Sequence, residues 1–269
     1  GGKLEECIMT HHNGTIRIWY QGFTDPDAHK IYVDKLQSHL NGVAGDGVTV
    51  EFHGIVPPAN HLHAIEELRC SLRAMANALK AQEDGYDAFV MGHFQEAGIH
   101  EIKAMLEIPA MSLGEASMLY SCTLGRKIGL VTIDPVFIPW HEDQIRLAGL
   151  SERVIGVRAM NTSPADYMRA LADEDAFEDV WKQFQEQARS LLDQGADVLI
   201  PAGGLPMLLL SRKAPLTIDG APVMNGINVL VKMAEMAVRL KRIDGLGVSR
   251  RSNYSLPSDA ALAEFRNIL

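Results

Sequence analysis

Short β-branched runs alternate along this chain with longer segments in which apolar residues recur every three or four positions. The runs TIRIWY (15–20), GVTVEFH (47–53), AFVMG (88–92), KIGLVTI (127–133), VIGVRA (154–159), DVLIPAG (197–203) and APVMNG (221–226) predict strands. The intervals between them predict helices. DPDAHKIYVDKLQSHL opens on an Asp-Pro start signal, and NHLHAIEELRCSLRAMANALKA repeats apolar residues at helical spacing. DEDAFEDVWKQFQEQARSLLDQG has acidic residues in its first turn and a glycine stop, as the helix dipole and C-capping favour. LPSDAALAEFRNIL reads as a short amphipathic helix after a proline turn. Strand–helix alternation implies an α/β fold with parallel sheets covered on both faces, and ligands in such folds bind beyond the C-terminal strand ends. The residues that follow each strand are therefore the ones to inspect.

Two stretches share one plan. EDGYDAFVMGHFQEAGI and DQGADVLIPAGGLPMLL each pass from an acidic helix end through Gly and Asp into an apolar strand, then a glycine-containing turn. Two similar halves facing each other would set these turns on opposite walls of one cleft.

Composition narrows the function classes. The 269 residues suffice for two modest domains or one large one, and 47% hydrophobic with 22% charged residues is ordinary for a soluble globular protein. A net charge of −9 argues against a nucleic-acid partner, since no basic stripe is available to neutralise phosphates. No run approaches the roughly 20 apolar residues of a membrane span, and no positively charged leader precedes an apolar run. Cys7, Cys70 and Cys122 are too few and scattered for a disulfide framework and lack metal-ligand spacing, so a reducing cytoplasm is the expected location. PAGGLP is not a dinucleotide fingerprint. Nothing points to nicotinamide, flavin or pyridoxal phosphate.

Taken in order, GHFQEAG (92–98), SLGEAS (112–117), LGRKIGLVT (124–132), GVR (156–158), GADVLIPAGG (195–204) and APVMNGINVLVKMAEMAVRL (221–240) resemble the aspartate/glutamate/hydantoin racemase superfamily, hydantoin racemase branch. The resemblance implies two pseudo-symmetric parallel-sheet α/β domains with the active site in the cleft between them. The first would be residues 1–112 plus 228–269, and the second, inserted, 113–227. It also implies a cofactor-independent enzyme on a small molecule, and a homo-oligomer. Such racemases use two cysteines, one per domain, as acid and base on opposite faces of the substrate carbon. Here His93 occupies the first of those positions and Ala202 the second, so the two-thiol mechanism does not carry over.

His93 becomes the candidate acid/base, because imidazole titrates in a useful range. In a generic turn it would be a hydrogen-bonding surface group. Glu96, aligned with a family Asp, either orients that imidazole or binds ligand; alternatively it is a first-turn carboxylate favoured by the helix dipole. Glu115 is a second candidate carboxylate. His53, His93 and Glu115 fall at strand ends and form a candidate zinc set, two imidazoles and a carboxylate with a place left for water, although they lack metal-binding spacing. Ser117, Thr132 and Asn225 are candidate substrate contacts. The Ala202, Gly203 and Gly204 amides are candidate donors to a carboxylate or oxyanion, with close strand–helix packing as the alternative role of the glycines. His61 and His63 cap or flank a helix start, Arg158 serves domain packing, and Cys70 and Cys122 pack in the core. With one strong acid/base in view, the favoured reaction is His93-centred hydrolysis of a cyclic amide or lactone, or a lyase step on a small carboxylate, with metal assistance as an option. The alternatives are an isomerase using His93 on one face, and a binding protein that kept the cleft without catalysis.

Overall fold

The computed structural model describes residues 14–61 and 63–268; Cys7 lies outside them. Along the chain run β1 (Ile16–Gln21), α1 (Lys30–Val43), β2 (Val48–His53), α2 (Ala64–Glu83), β3 (Ala88–Met91), α3 (Ile99–Met105) and β4 (Ala110–Ser112). Next come α4 (Leu113–Ser121), β5 (Ile128–Thr132), α5 (Ile138–Leu147), β6 (Val154–Ala159), α6 (Pro164–Ala170), α7 (Glu174–Asp193), β7 (Val198–Ala202) and α8 (Gly204–Leu210). Two short strands, β8 (Thr217–Ile218) and β9 (Ala221–Pro222), precede α9 (Gly226–Asp244) and α10 (Asp259–Asn267). The chain divides into two units. One holds the chain up to Gly92, residues 97–111 and everything from Val231 on; the other holds His93–Glu96 and Ser112–Leu230.

The first unit is built on a four-stranded sheet in the order β2-β1-β3-β4, in which β1 pairs in parallel with both β2 and β3. Helix α2 buries Cys70, Ala74, Ala78 and Ala81 in one cluster with Trp19, Phe89 and Met91. Small side chains on that stripe let the helix lie close to the sheet. Its start is capped by His63, whose side chain accepts from the Ile65 amide, as the sequence led us to expect. Helix α1 begins five residues later than its Asp-Pro signal, because the Asp25 side chain accepts from the Asp27 amide and makes a turn there instead.

The second unit contains a three-stranded parallel sheet, β6-β5-β7, with Ile128, Leu130, Val131 and Leu199 fully buried. Helix α7 supplies Phe184, Ala188 and Leu191 to this unit's interior, capped at its start by Asp173. APVMNG does not form the expected full strand. Only Ala221–Pro222 pairs, antiparallel to β8, and Val223 adds a single bridge to Leu199. Pro222 has no amide to donate, which limits the ladder. Strands β4 and β8 were not expected, being only three and two residues long. Cys122 is half-buried at the end of α4, so the core-packing reading applies to Cys70 but not to it.

The plan shared by the two stretches is visible within each unit. Gly85 (φ +76°) and Gly195 (φ +99°) end their helices in the left-handed conformation. The following aspartates then hold the central strands: Asp87 accepts from the Arg17 amide (2.8 Å), and Asp197 from those of Lys127 (2.8 Å) and Arg126 (3.0 Å). No described helix is long and apolar enough to cross a membrane.

Gly92, directly after β3, lies against the buried Tyr20 ring. A Cβ there would stand 2.1 Å from the ring, which is 1% exposed and has no route of retreat. Gly92→Ala is expected to destabilise the protein by about 2–3 kcal/mol, read as a lower urea midpoint at unchanged slope. An unchanged midpoint would show that Tyr20 can move aside.

Candidate active site

After β3 the chain turns at His93–Glu96, closed by the Glu96 amide donating to the His93 carbonyl (3.2 Å). Glu96 adopts φ +51°, a left-handed conformation that costs energy for a residue with a Cβ. Its carboxylate explains why it stays there. One oxygen accepts from the Glu115 amide (2.8 Å) and from the Ser112 hydroxyl. Glu115 lies in the first turn of α4, so Glu96 supplies from another segment the oxygen that a helix start requires. Ser112 stands at the cap position itself but makes no cap bond and turns its hydroxyl to Glu96. Burial raises the Glu96 carboxyl above its ordinary range, against the contacts from Ser112, Gln144 and the Glu115 amide that favour the anion.

Next to the turn lies a chain of polar groups that the sequence did not announce. Gln144, on α5, donates from Nε2 to the Phe94 carbonyl (2.6 Å), and its Oε1 lies 2.8 Å from His141 Nδ1. His141 Nε2 in turn lies 2.9 Å from Thr132 Oγ1 at the end of β5. A carbonyl only accepts, so Phe94 fixes the Gln144 amide with its oxygen toward the ring. Nδ1 therefore carries the proton, and Nε2 accepts from the Thr132 hydroxyl. His141 is wholly buried, with the Phe94 ring edge-on at 5.2 Å. Burial pushes its pKa down to about 4 despite the Gln144 bond, and the nearby His93 acts in the same direction as burial.

The structure thus groups His93, Glu96 and Glu115 in one unit and ties Thr132 to their turn through His141 and Gln144. Thr132 is fully buried, with its hydroxyl bonded to His141. Ser117 is likewise buried. Its hydroxyl donates to the Leu113 carbonyl (2.6 Å) and sits where a Cβ on Gly226 would stand. Asn225 caps α9, accepting from the Ile227 amide (3.1 Å) and donating to the Met207 carbonyl (3.4 Å). The Gly203 amide donates to the Pro201 carbonyl (2.9 Å). Ala202 ends β7 beside Thr132, and Gly204 begins α8. Arg158 is exposed and bonds Gln187 within its own unit (3.4 Å).

His53 belongs to a separate cluster in the first unit. Its ring stacks on Trp19 with centroids 3.3 Å apart, and Nε2 lies 3.2 Å from the Tyr86 hydroxyl, which donates to Glu51. Burial lowers its pKa, with Glu51 and Asp84 opposing. Among the described residues no group of three or more His, Cys, Asp or Glu is placed to hold a metal ion. The candidate zinc set of His53, His93 and Glu115 is therefore corrected: His53 is taken up by Trp19 and Tyr86.

The sequence model of the Asp/Glu/Hydantoin racemase family matches residues 22–234. The chain belongs to that family. It is 27% identical over 179 residues to a hydantoin racemase of Pseudomonas sp. (strain NS671), covering 66% of this chain and 67% of that protein. Its fold is that of an allantoin racemase from Klebsiella pneumoniae (TM-score 0.73, 18% identity, 91% of this chain and 95% of that one). An allantoin racemase from Pseudomonas fluorescens is equally similar in fold (TM-score 0.72, 23% identity, 90% and 97%). Racemases of this family work without a cofactor. The expectation of hydrolysis or lyase chemistry is not supported by these comparisons, whose family and named sequence relative are racemases.

A pH dependence of stability follows from His141. Its folded-state pKa of about 4 lies below the ordinary 6.5, so between these values the unfolded chain binds one proton more than the folded chain. Stability is therefore lost as pH falls from 6.5 to 4, by about 3 kcal/mol from this residue. Glu96, raised by burial, slopes the other way and offsets part of this. His141→Leu should be less stable at pH 7 yet lose less on going to pH 4.5, measured by urea midpoints; parallel losses would contradict a buried neutral imidazole.

Proposed function

We propose that this chain is a cofactor-independent isomerase that inverts a stereocentre next to a carbonyl, on a small cyclic ureide or amide of the hydantoin or allantoin kind. The observation that carries the reading is the family match over residues 22–234, which includes the anchored turn bearing His93. The imidazole of His93 takes the proton from the reacting carbon, and the C–H electron pair passes into the enolate of the adjacent carbonyl. Water returns a proton to the opposite face, and the hydroxide left behind is neutralised by the imidazolium. Ala202, where the resemblance places a second thiol, carries no proton to give, which is why water fills that role. Ala202 and Gly204 are retained as substrate contacts, and Glu96 and Glu115 as candidate catalytic carboxylates.

Incubating single enantiomers of hydantoins and allantoin in D2O tests this. Loss of optical rotation should accompany incorporation of one deuterium at the reacting carbon, and His93→Ala should slow both by about 10²–10⁴-fold. Ring opening without exchange would restore the hydrolytic reading. Thermal stabilisation by a ureide without either process would restore the binding-protein reading.

A further inference from the structure

We propose that Gln144 and His141 are positioning residues that clasp the His93–Glu96 turn in its working conformation; this deepens the reading of His93 as the proton-transfer group and rests on it. The turn needs such a device. It has one internal backbone bond, Glu96 to His93, and carries a left-handed φ at Glu96. Two anchors hold it from outside. The first is the Glu96 carboxylate on the start of α4. The second is Gln144, whose Nε2 takes the Phe94 carbonyl (2.6 Å), the backbone group next to His93.

The second anchor is only as firm as the orientation of the Gln144 amide. An amide can rotate end for end at almost no steric cost, and the flipped form would set oxygen against oxygen at Phe94. His141 prevents this. Its Nδ1 proton faces Gln144 Oε1 at 2.8 Å, and its Nε2, bare in that tautomer, accepts from the Thr132 hydroxyl at 2.9 Å. His141 and Gln144 sit three residues apart on α5, on one helix face, and both are buried. The Phe94 carbonyl beside His93, the Gln144 amide, the His141 imidazole and the Thr132 hydroxyl thus form one hydrogen-bonded chain in which the orientation of each group requires that of the next. The space between the anchors is closed by Gly114, where a Cβ would stand 2.5 Å from the Phe94 carbonyl oxygen and 2.8 Å from Gln144 Nε2.

Two measurements test the clasp without relying on turnover. In the ¹⁵N-labelled wild-type protein, two-bond imidazole correlations should show His141 as the neutral Nδ1–H tautomer at about pH 6, the signal being assigned by its loss in His141→Leu. The Nε2–H tautomer would overturn the proposal outright, even if no Gln144 variant folds. In Gln144→Met, exchange of the Glu96 and Glu115 amides should speed up by about tenfold, while Leu130 and Val131 in β5 keep their protection. Unchanged exchange at Glu96 and Glu115 would also overturn it. For a ureide that the wild type racemises, Gln144→Met should lower kcat by about tenfold with KM within about twofold, as misplacement of a proton-transfer group requires. If the wild type turns over no ureide but the tautomer and exchange results hold, the clasp stands and the reaction assignment falls.

Discussion

A single carboxylate, that of Glu96, constrains much of what surrounds the proposed site. A buried carboxylate is costly to ionise unless hydrogen-bond donors meet it, and here they are the Ser112 hydroxyl, the Glu115 amide at the start of α4 and the Gln144 amide. Meeting them fixes the side chain in space, and the backbone follows into a left-handed conformation. The neighbouring positions inherit the geometry: Gly114 has no room for a side chain, and Ser112 gives up its usual capping bond. Gln144 then reaches the turn at Phe94. His141 stays neutral because nothing nearby would stabilise its charge strongly enough to outweigh burial.

The aspartates that begin β3 and β7 show the same economy in a different setting. Asp87 and Asp197 each follow a left-handed glycine and take backbone amides at the start of a central strand. A carboxylate in that place satisfies a strand end that has no ladder partner there. Arg242 adds an ion pair to Asp87 (2.9 Å), whereas among the described residues Asp197 is met by two backbone amides. The two units therefore use a common joint with different reinforcement.

Much of this organisation was legible in the residues. Six of the seven predicted strands appear within a residue or two of their expected ends, because β-branched runs bounded by Gly and Asp leave little choice. The helix capped by Asp173 and the Cys70 packing could be read for the same local reasons. The site was legible only in outline. GHFQEAG marks His93 and Glu96, but the grouping of residues 93–96 with the second unit depends on contacts to residues 112–115 and 144, which no local pattern encodes. His141 was missed because PWHEDQ looks like an exposed polar turn of helix. The one available signal was its three-residue spacing from Gln144 after a strand ending in Thr132. The backbone contacts of Ser117 and Asn225 could not be read either: their side chains suit a ligand as well as they suit the carbonyl and amide they meet.

The interleaving of the two units along the chain has a consequence for biosynthesis. All of the second unit lies between His93 and Leu230, so every residue it needs has been made before α9 is complete. The first unit starts earlier but finishes last, since it also requires the chain from Val231 onward, including Arg242 against Asp87. At about 5–20 residues per second, the ribosome takes several seconds or more to pass from β4 to α9. Throughout that interval the first sheet is held without its closing helix, and the unit begun later is whole once Leu230 is made, ahead of the rest of α9. The order of assembly is thus the reverse of the order of appearance.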